Sequence, residues 1–136
     1  MLFQFYQQIN QKDCGPTCLR MVSNHYGKSI SQQKIIKLSE TNRSGSSLSN
    51  IATAAEQIGF RTLGVKINFE KLKNEAPLPC IIHWNQNHFV VAYKVKGNTV
   101  YVADPAHGLL EYAKEEFIKH WIGNNASTKT EEGIAL

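Results

Sequence analysis

Cys14 stands in the run Asp13-Cys14-Gly15-Pro16-Thr17, just ahead of apolar residues at helical spacing: Cys18, Leu19, Met21, Val22 and Tyr26. Pro16 suits the first helical position, because its missing N–H would find no partner there, and Gly27 supplies the stop. A thiol at such a helix start meets unpaired backbone N–H groups and the positive end of the helix dipole. Both favour the thiolate, which is the nucleophile at neutral pH. Gly15 is expected to let a substrate backbone approach closely. Cys18, one turn further in, reads as packing, and Cys14 by itself also fits a small buried hydrophobe. The residue alone leaves those two readings open.

A nucleophilic thiol needs a base, and the base needs an acceptor that orients it. Five histidines are available. His25 and His120 lie late in expected helices, where an imidazolium is favourable for ordinary reasons. His83 lies in an apolar strand and His107 in a turn. His88 opens the core strand Phe89-Val90-Val91-Ala92-Tyr93, so its ring sits at a sheet end where it can face a cleft. Gly97-Asn98 reads as a hairpin turn that pairs this strand with Thr99 to Ala103. With Val95 set opposite Thr99, His88 falls across from the region just past Ala103, next to Asp104. Asp104-Pro105 is also a common turn starter. Gln8, six residues before Cys14, can donate an amide hydrogen bond to an oxyanion. It is one of several amides in the segment Gln4, Gln7, Gln8, Asn10 and Gln11. Asp13 is read as the helix cap.

Other chemistries lack their residues. There is no Cys-x2-Cys or His-x3-His pair for a tetrahedral metal site. Ser44-Gly45-Ser46 lacks the Gly-Lys-Ser/Thr ending of a phosphate loop. Fifteen basic and eleven acidic residues give +4, but the Lys and Arg residues are scattered singly, so nucleic-acid binding is not expected. The odd count of three cysteines, Cys14, Cys18 and Cys80, fits free thiols in a reducing compartment. No secretory signal is visible at the N-terminus, and no apolar run approaches the ~20 residues of a membrane span.

The positioning elements change character midway through the 136 residues. After the first helix, a second is expected from the Ser31 cap through Ile35, Ile36 and Leu38. A third begins near Ser46 or Ser47 and ends at Gly59. Phe60 to Ile67 then alternates as a strand, and Asn68 caps a short helix, Phe69 to Lys73. Pro79 to Trp84, Phe89 to Val95, Thr99 to Ala103 and Leu109 to Tyr112 read as strands. Lys114 to Trp121 is a closing amphipathic helix, stopped by Gly123. The fold class is α+β, with N-terminal helices packed on a C-terminal antiparallel sheet. One domain, 1–123, accounts for these elements. Residues 124–136 are expected to form a polar linker, and the apolar turn at Gly133-Ile134-Ala135-Leu136 suggests a chain that continues.

Gln8, Asp13-Cys14-Gly15-Pro16, His88-Phe89-Val90-Val91 and Ala103-Asp104-Pro105 together resemble the peptidase domain at the N-terminus of bacteriocin-exporting ABC transporters. These are papain-like cysteine proteases that remove leader peptides ending in Gly-Gly. The resemblance runs from Gln8 to Trp121. It implies a papain-like fold with Cys14 as nucleophile, His88 as base, Asp104 as orienting acid and Gln8 as oxyanion donor. It implies no metal or organic cofactor for the domain, ATP being used only in a separate nucleotide-binding domain. The implied partners are a precursor peptide with an amphipathic leader ending in Gly-Gly, and the exporter's transmembrane and ATPase domains. The implied place is the cytoplasmic face of the bacterial cytoplasmic membrane, the domain itself being soluble and monomeric. Two other functions stay open at this stage. One is a leader-binding module without catalysis, which the joint presence of Cys14, His88 and Asp104 disfavours. The other is a different papain-like amidase or acyltransferase, which the exporter-like tail disfavours.

Overall fold

The computed structural model describes residues 3–8, 13–39, 47–76, 78–84, 88–122 and 131–135. Three helices come first: α1 (Cys14–His25), α2 (Gln32–Leu38) and α3 (Leu48–Gln57). There follow β1 (Leu63–Ile67), α4 (Phe69–Asn74), β2 (Cys80–Trp84), β3 (His88–Lys96), β4 (Thr99–Asp104), β5 (Gly108–Ala113), α5 (Lys114–Ile122) and β6 (Glu131–Ala135). Local chemistry sets the helix ends. Ser31, Ser47 and Asn68 accept the N–H of Lys34, Asn50 and Lys71 at 3.2, 3.0 and 2.9 Å. Gly27 (φ +86°) and Gly59 (φ +103°) end α1 and α3 in the left-handed conformation. There Lys28 N–H bonds Ser23 C=O at 2.8 Å and Phe60 N–H bonds Ala55 C=O at 3.0 Å, the six-to-one closure of a Schellman motif. That bond keeps Phe60 in the cap of α3, and the strand expected from Phe60 starts only at Leu63.

The sheet is six-stranded and antiparallel, in the order β1-β6-β2-β3-β4-β5. Both faces are covered, which is why β3 reads as an unbroken apolar run. Phe89, Val91, Ile81 and Ala103 pack towards Leu19, Val22 and Ile51 of the N-terminal helices. Val90, Ala92, Ile82 and Val102 pack with Leu72, Phe117 and Trp121 of α4 and α5. The N-terminal helices therefore pack on one face, as expected, while a second, shorter helical layer closes the other.

Two features differ from the sequence reading. Residues 131–135, assigned to the linker, form β6, which pairs with β1 along its length and with β2 at Ile81 and Ile82. The apolar pair Ile134-Ala135 that looked out of place in a linker lies in this strand. Residues 123–130, including the expected stop at Gly123, lie outside the described residues. Gly15 is buried, and a Cβ there would come within 2.5 Å of Ile51 Cδ1 and 3.5 Å of a Phe89 ring carbon. Its missing side chain makes room for α3 and β3, not for a substrate. Among the described residues no helix is long and apolar enough to cross a membrane.

Candidate active site

Cys14 is the first residue of α1 and is 7% exposed. Asp13 occupies the cap position, but its side chain makes no capping hydrogen bond, so the expected Asp13 cap is not formed. α1 is held against the sheet by burial of Cys18, Leu19, Met21 and Val22, which places its N-terminus over one end of β3.

His88 opens β3 and Asp104 closes β4, so both stand at that same end of the sheet. Their meeting depends on a bulge. Near the turn the register is Val95 opposite Val100, one step from the expected Val95–Thr99 pair. The ladder shifts between Ala92 and Lys94, leaving Tyr93 as the extra residue, and Val91 then faces Ala103. The bulge thus restores at the site end the register that simple counting assumed. His88 Nε2 donates to Asp104 Oδ1 at 2.8 Å. That leaves Nδ1 as the ring nitrogen available to Cys14, with which the His88 side chain is in hydrogen-bond contact.

Burial works against a charged His88, but hydrogen bonds to Asp104 and Cys14, with their charges, outweigh it and lift the imidazole to about 9. Burial likewise pushes the Asp104 carboxyl up. Hydrogen bonds from His88, the Ala106 N–H and His107 overcome this and bring it down to about 2. The imidazolium and the carboxylate are therefore the forms present at neutral pH. Cys18 and Cys80 lie fully inside: burial pushes Cys18 well above the ordinary thiol range and Cys80 up to about 12. Of the three thiols, only Cys14 touches a histidine that carries charge at neutral pH.

These shifts set a stability window. The raised His88 contributes stability that is full below its ordinary 6.5 and lost as pH rises through about 9. The lowered Asp104 contributes stability present above its ordinary 3.8 and lost as pH falls through about 2. Both describe one ion pair seen from its two sides. Thermal unfolding is expected at its highest temperature between about pH 4 and 6.5, declining towards pH 9. The decline should vanish in His88→Ala, and a wild-type midpoint flat from pH 6.5 to 9 would contradict the ion pair.

Gln8 is half-buried, and its backbone N–H donates to Pro105 C=O at 2.8 Å. Its segment is also tied down by Phe3 stacked on Tyr93 (4.7 Å, 6°) and by Arg20 lying 3.9 Å over the Tyr6 ring. Gln8 is thus anchored beside the turn that follows Asp104. His83 stacks on Phe89, His120 stacks on Trp84, and His25 lies edge-on to Tyr26; these three serve packing. One participant escaped the sequence reading: His107 Nδ1 lies 3.1 Å from Asp104 Oδ2. Its signal was the spacing Asp104-Pro105-Ala106-His107, a turn whose first and last side chains stand together. Among the described residues no group of three or more His, Cys, Asp or Glu side chains could hold a metal ion.

The arrangement is a thiol touching an imidazolium that a carboxylate orients, which is suited to acyl transfer through a thioester. Residues 3–132 match the sequence profile of the peptidase C39 family. The lactococcin-G-processing and transport ATP-binding protein of Lactococcus lactis subsp. lactis is 39% identical over 123 residues, covering 87% of this chain and 17% of that protein. The colicin V secretion/processing ATP-binding protein of Escherichia coli is 33% identical over 116 residues, covering 85% and 16%. The chain therefore spans about a sixth of the length of these relatives. Among solved structures, a double glycine motif protease from an AMS/PCAT transporter, in complex with the leader peptide, superposes with a TM-score of 0.87. It is 33% identical, with 97% of this chain and 89% of that one covered. The peptidase domain of Streptococcus ComA, a bi-functional ABC transporter of a quorum-sensing pathway, superposes at 0.84. It is 29% identical, with 98% of each chain covered.

Proposed function

The chain belongs to the peptidase C39 family of cysteine peptidases, and from this premise we propose that it removes Gly-Gly leaders from precursor peptides as the peptidase domain of an exporter. The contact chain Asp104–His88–Cys14 is the observation that carries the reading. Cys14 thiolate attacks the scissile carbonyl carbon, and the carbonyl electron pair moves to oxygen. The Cys14 backbone N–H, at the start of α1, and the Gln8 amide donate to that oxyanion. On collapse the C–N bond breaks and the amine leaves with the proton of His88, while the leader remains as a thioester on Cys14. Neutral His88 then takes a proton from water, whose oxygen attacks the thioester. The leader departs as a carboxylate and the thiolate–imidazolium pair is restored. Asp104 keeps the ring oriented throughout.

A solved structure that this chain resembles is a double glycine motif protease in complex with the leader peptide, and the burial of Cys14 fits such a substrate. At 7% exposure, the thiol is reached only by a backbone that passes very close, which glycines allow because they have no Cβ. Two glycines offer little apolar area for recognition, so binding energy comes from an amphipathic leader helix docking upstream. Residues beyond this chain would supply the membrane-spanning and ATP-using parts, with this domain on the cytoplasmic face.

The test uses a precursor peptide with a leader of about 20 residues, long enough for several helical turns. Val in place of either terminal leader glycine should stop cleavage and spare binding, and Ser at the spaced apolar positions should raise KM. Equal cleavage of a short peptide carrying only Gly-Gly and its neighbours would refute leader docking. With the same precursor, Gln8→Ala should lower kcat by roughly 10²–10³ with KM nearly unchanged, as loss of an oxyanion donor does. A rise in KM at constant kcat would instead make Gln8 a substrate-positioning residue.

A further inference from the structure

Asp104 has a partner on each oxygen. Oδ1 accepts from His88 Nε2 at 2.8 Å and from Ala106 N–H at 2.9 Å, the second closing a ring characteristic of an Asp that opens a turn. Oδ2 is met by His107 Nδ1 at 3.1 Å. The turn brings this about. His107 N–H donates to Asp104 C=O at 3.0 Å with Pro105 at the second position, so residues 104 and 107 are its two ends. Gly108, at φ +112°, then lets the chain re-enter β5 directly opposite Asp104. Gln8 N–H on Pro105 C=O fixes the outer side of the same turn.

A carboxylate held at one oxygen can still swing about its Cβ–Cγ bond, carrying that oxygen off the imidazole axis. A donor on the second oxygen prevents this. The His107 ring is 71% exposed, so it does not fill the core, and deleting it opens no cavity. The neutral ring with its proton on Nδ1 already supplies the donor. We propose that His107 is a positioning residue for the cleavage reaction, its Nδ1–H pinning Asp104 Oδ2 so that Oδ1 stays aligned on His88 Nε2. This inference rests on the catalytic reading of Asp104 given above.

The experiment measures kcat and KM of the 136-residue chain on the Gly-Gly precursor peptide for His107→Ala, His107→Asn, Asp104→Ala and the double variant His107→Ala/Asp104→Ala. Loss of a solvent-edge hydrogen bond to a charged group predicts a fall in kcat of about five- to tenfold for His107→Ala, with KM unchanged. His107→Asn, whose amide nitrogen can stand near the position of Nδ1, should recover most of it. In the Asp104→Ala background the His107→Ala change should have no further effect, because its target is gone. An unchanged kcat in His107→Ala, a rise in KM alone, or the same fold loss with and without Asp104 would each overturn the proposal while leaving the Asp104 assignment standing. Full activity in Asp104→Ala would overturn the catalytic reading itself, and this inference with it.

Discussion

Cys14→Ala is expected to abolish precursor cleavage, by on the order of 10⁶-fold, the scale reached when a covalent nucleophile is removed. The fold should survive, because Cys14 lies at the edge of the helical core and loses only its sulfur. Cys18→Ala and Cys80→Ala should behave oppositely. Both thiols are fully enclosed, so each substitution costs about 1–2 kcal/mol of packing and leaves catalysis near normal. Iodoacetamide at about pH 6.5 discriminates the three thiols without any substrate, because it reacts with thiolate. Cys14 sits against the His88 imidazolium, whereas burial holds Cys18 and Cys80 protonated far above that pH. Mass spectrometry should find the first label on Cys14. Equal labelling of the three thiols in the folded chain, or cleavage by Cys14→Ala, would remove Cys14 from the mechanism.

The second large effect separates His88 from Asp104. His88 both serves as the base for the thiol and protonates the leaving amine, so His88→Ala should cost nearly as much as loss of the nucleophile. Asp104→Asn keeps the size of the side chain and an oxygen able to accept from His88 Nε2, but removes the charge. A slow enzyme is expected, down by roughly 10²–10⁴. Its pH dependence is more telling than its rate. Asp104 helps hold His88 at about 9, so kcat/KM of the wild type should fall on the alkaline side near pH 9. Without the carboxylate that limb should move down towards the ordinary imidazole value. An Asp104→Asn profile with its alkaline limb unmoved would deny Asp104 its orienting role.

Much of this site was legible because it depends on local chemistry. Ser31, Ser47 and Asn68 announce helix starts through hydrogen bonds that close within three residues. Gly97-Asn98 forces β3 against β4, so His88 and Asp104 had to meet near one sheet end. What stayed hidden depends on distant partners. Nothing in the order of residues says that Tyr93 forms a bulge, and the count from the hairpin reached the right neighbourhood only because the bulge offset a one-residue error at the turn. Gly15 looked like clearance for a substrate because glycine beside a nucleophile has that use. Its actual neighbour, Ile51, is 36 positions away and belongs to another helix. The cap role of Asp13 failed for a similar reason, since a buried carboxylate answers to its surroundings and not only to the nearest N–H groups. His107 was filed as a turn residue, which it is, but the turn also sets its ring on the second oxygen of Asp104.

The place of β6 bears on how the protein is made. A ribosome releases α1, β3 and β4, which carry Cys14, His88 and Asp104, before it releases residues 131–135. Yet β6 is an interior strand, and β1 joins the sheet only through it. The nascent chain can therefore bring its reactive groups together while the sheet still has an open seam between β1 and β2. Residues 131–135 close that seam, so within this sheet the order of synthesis and the order of strands run against each other, and β1 is joined to β2 only after the strands that carry the reactive groups have been made.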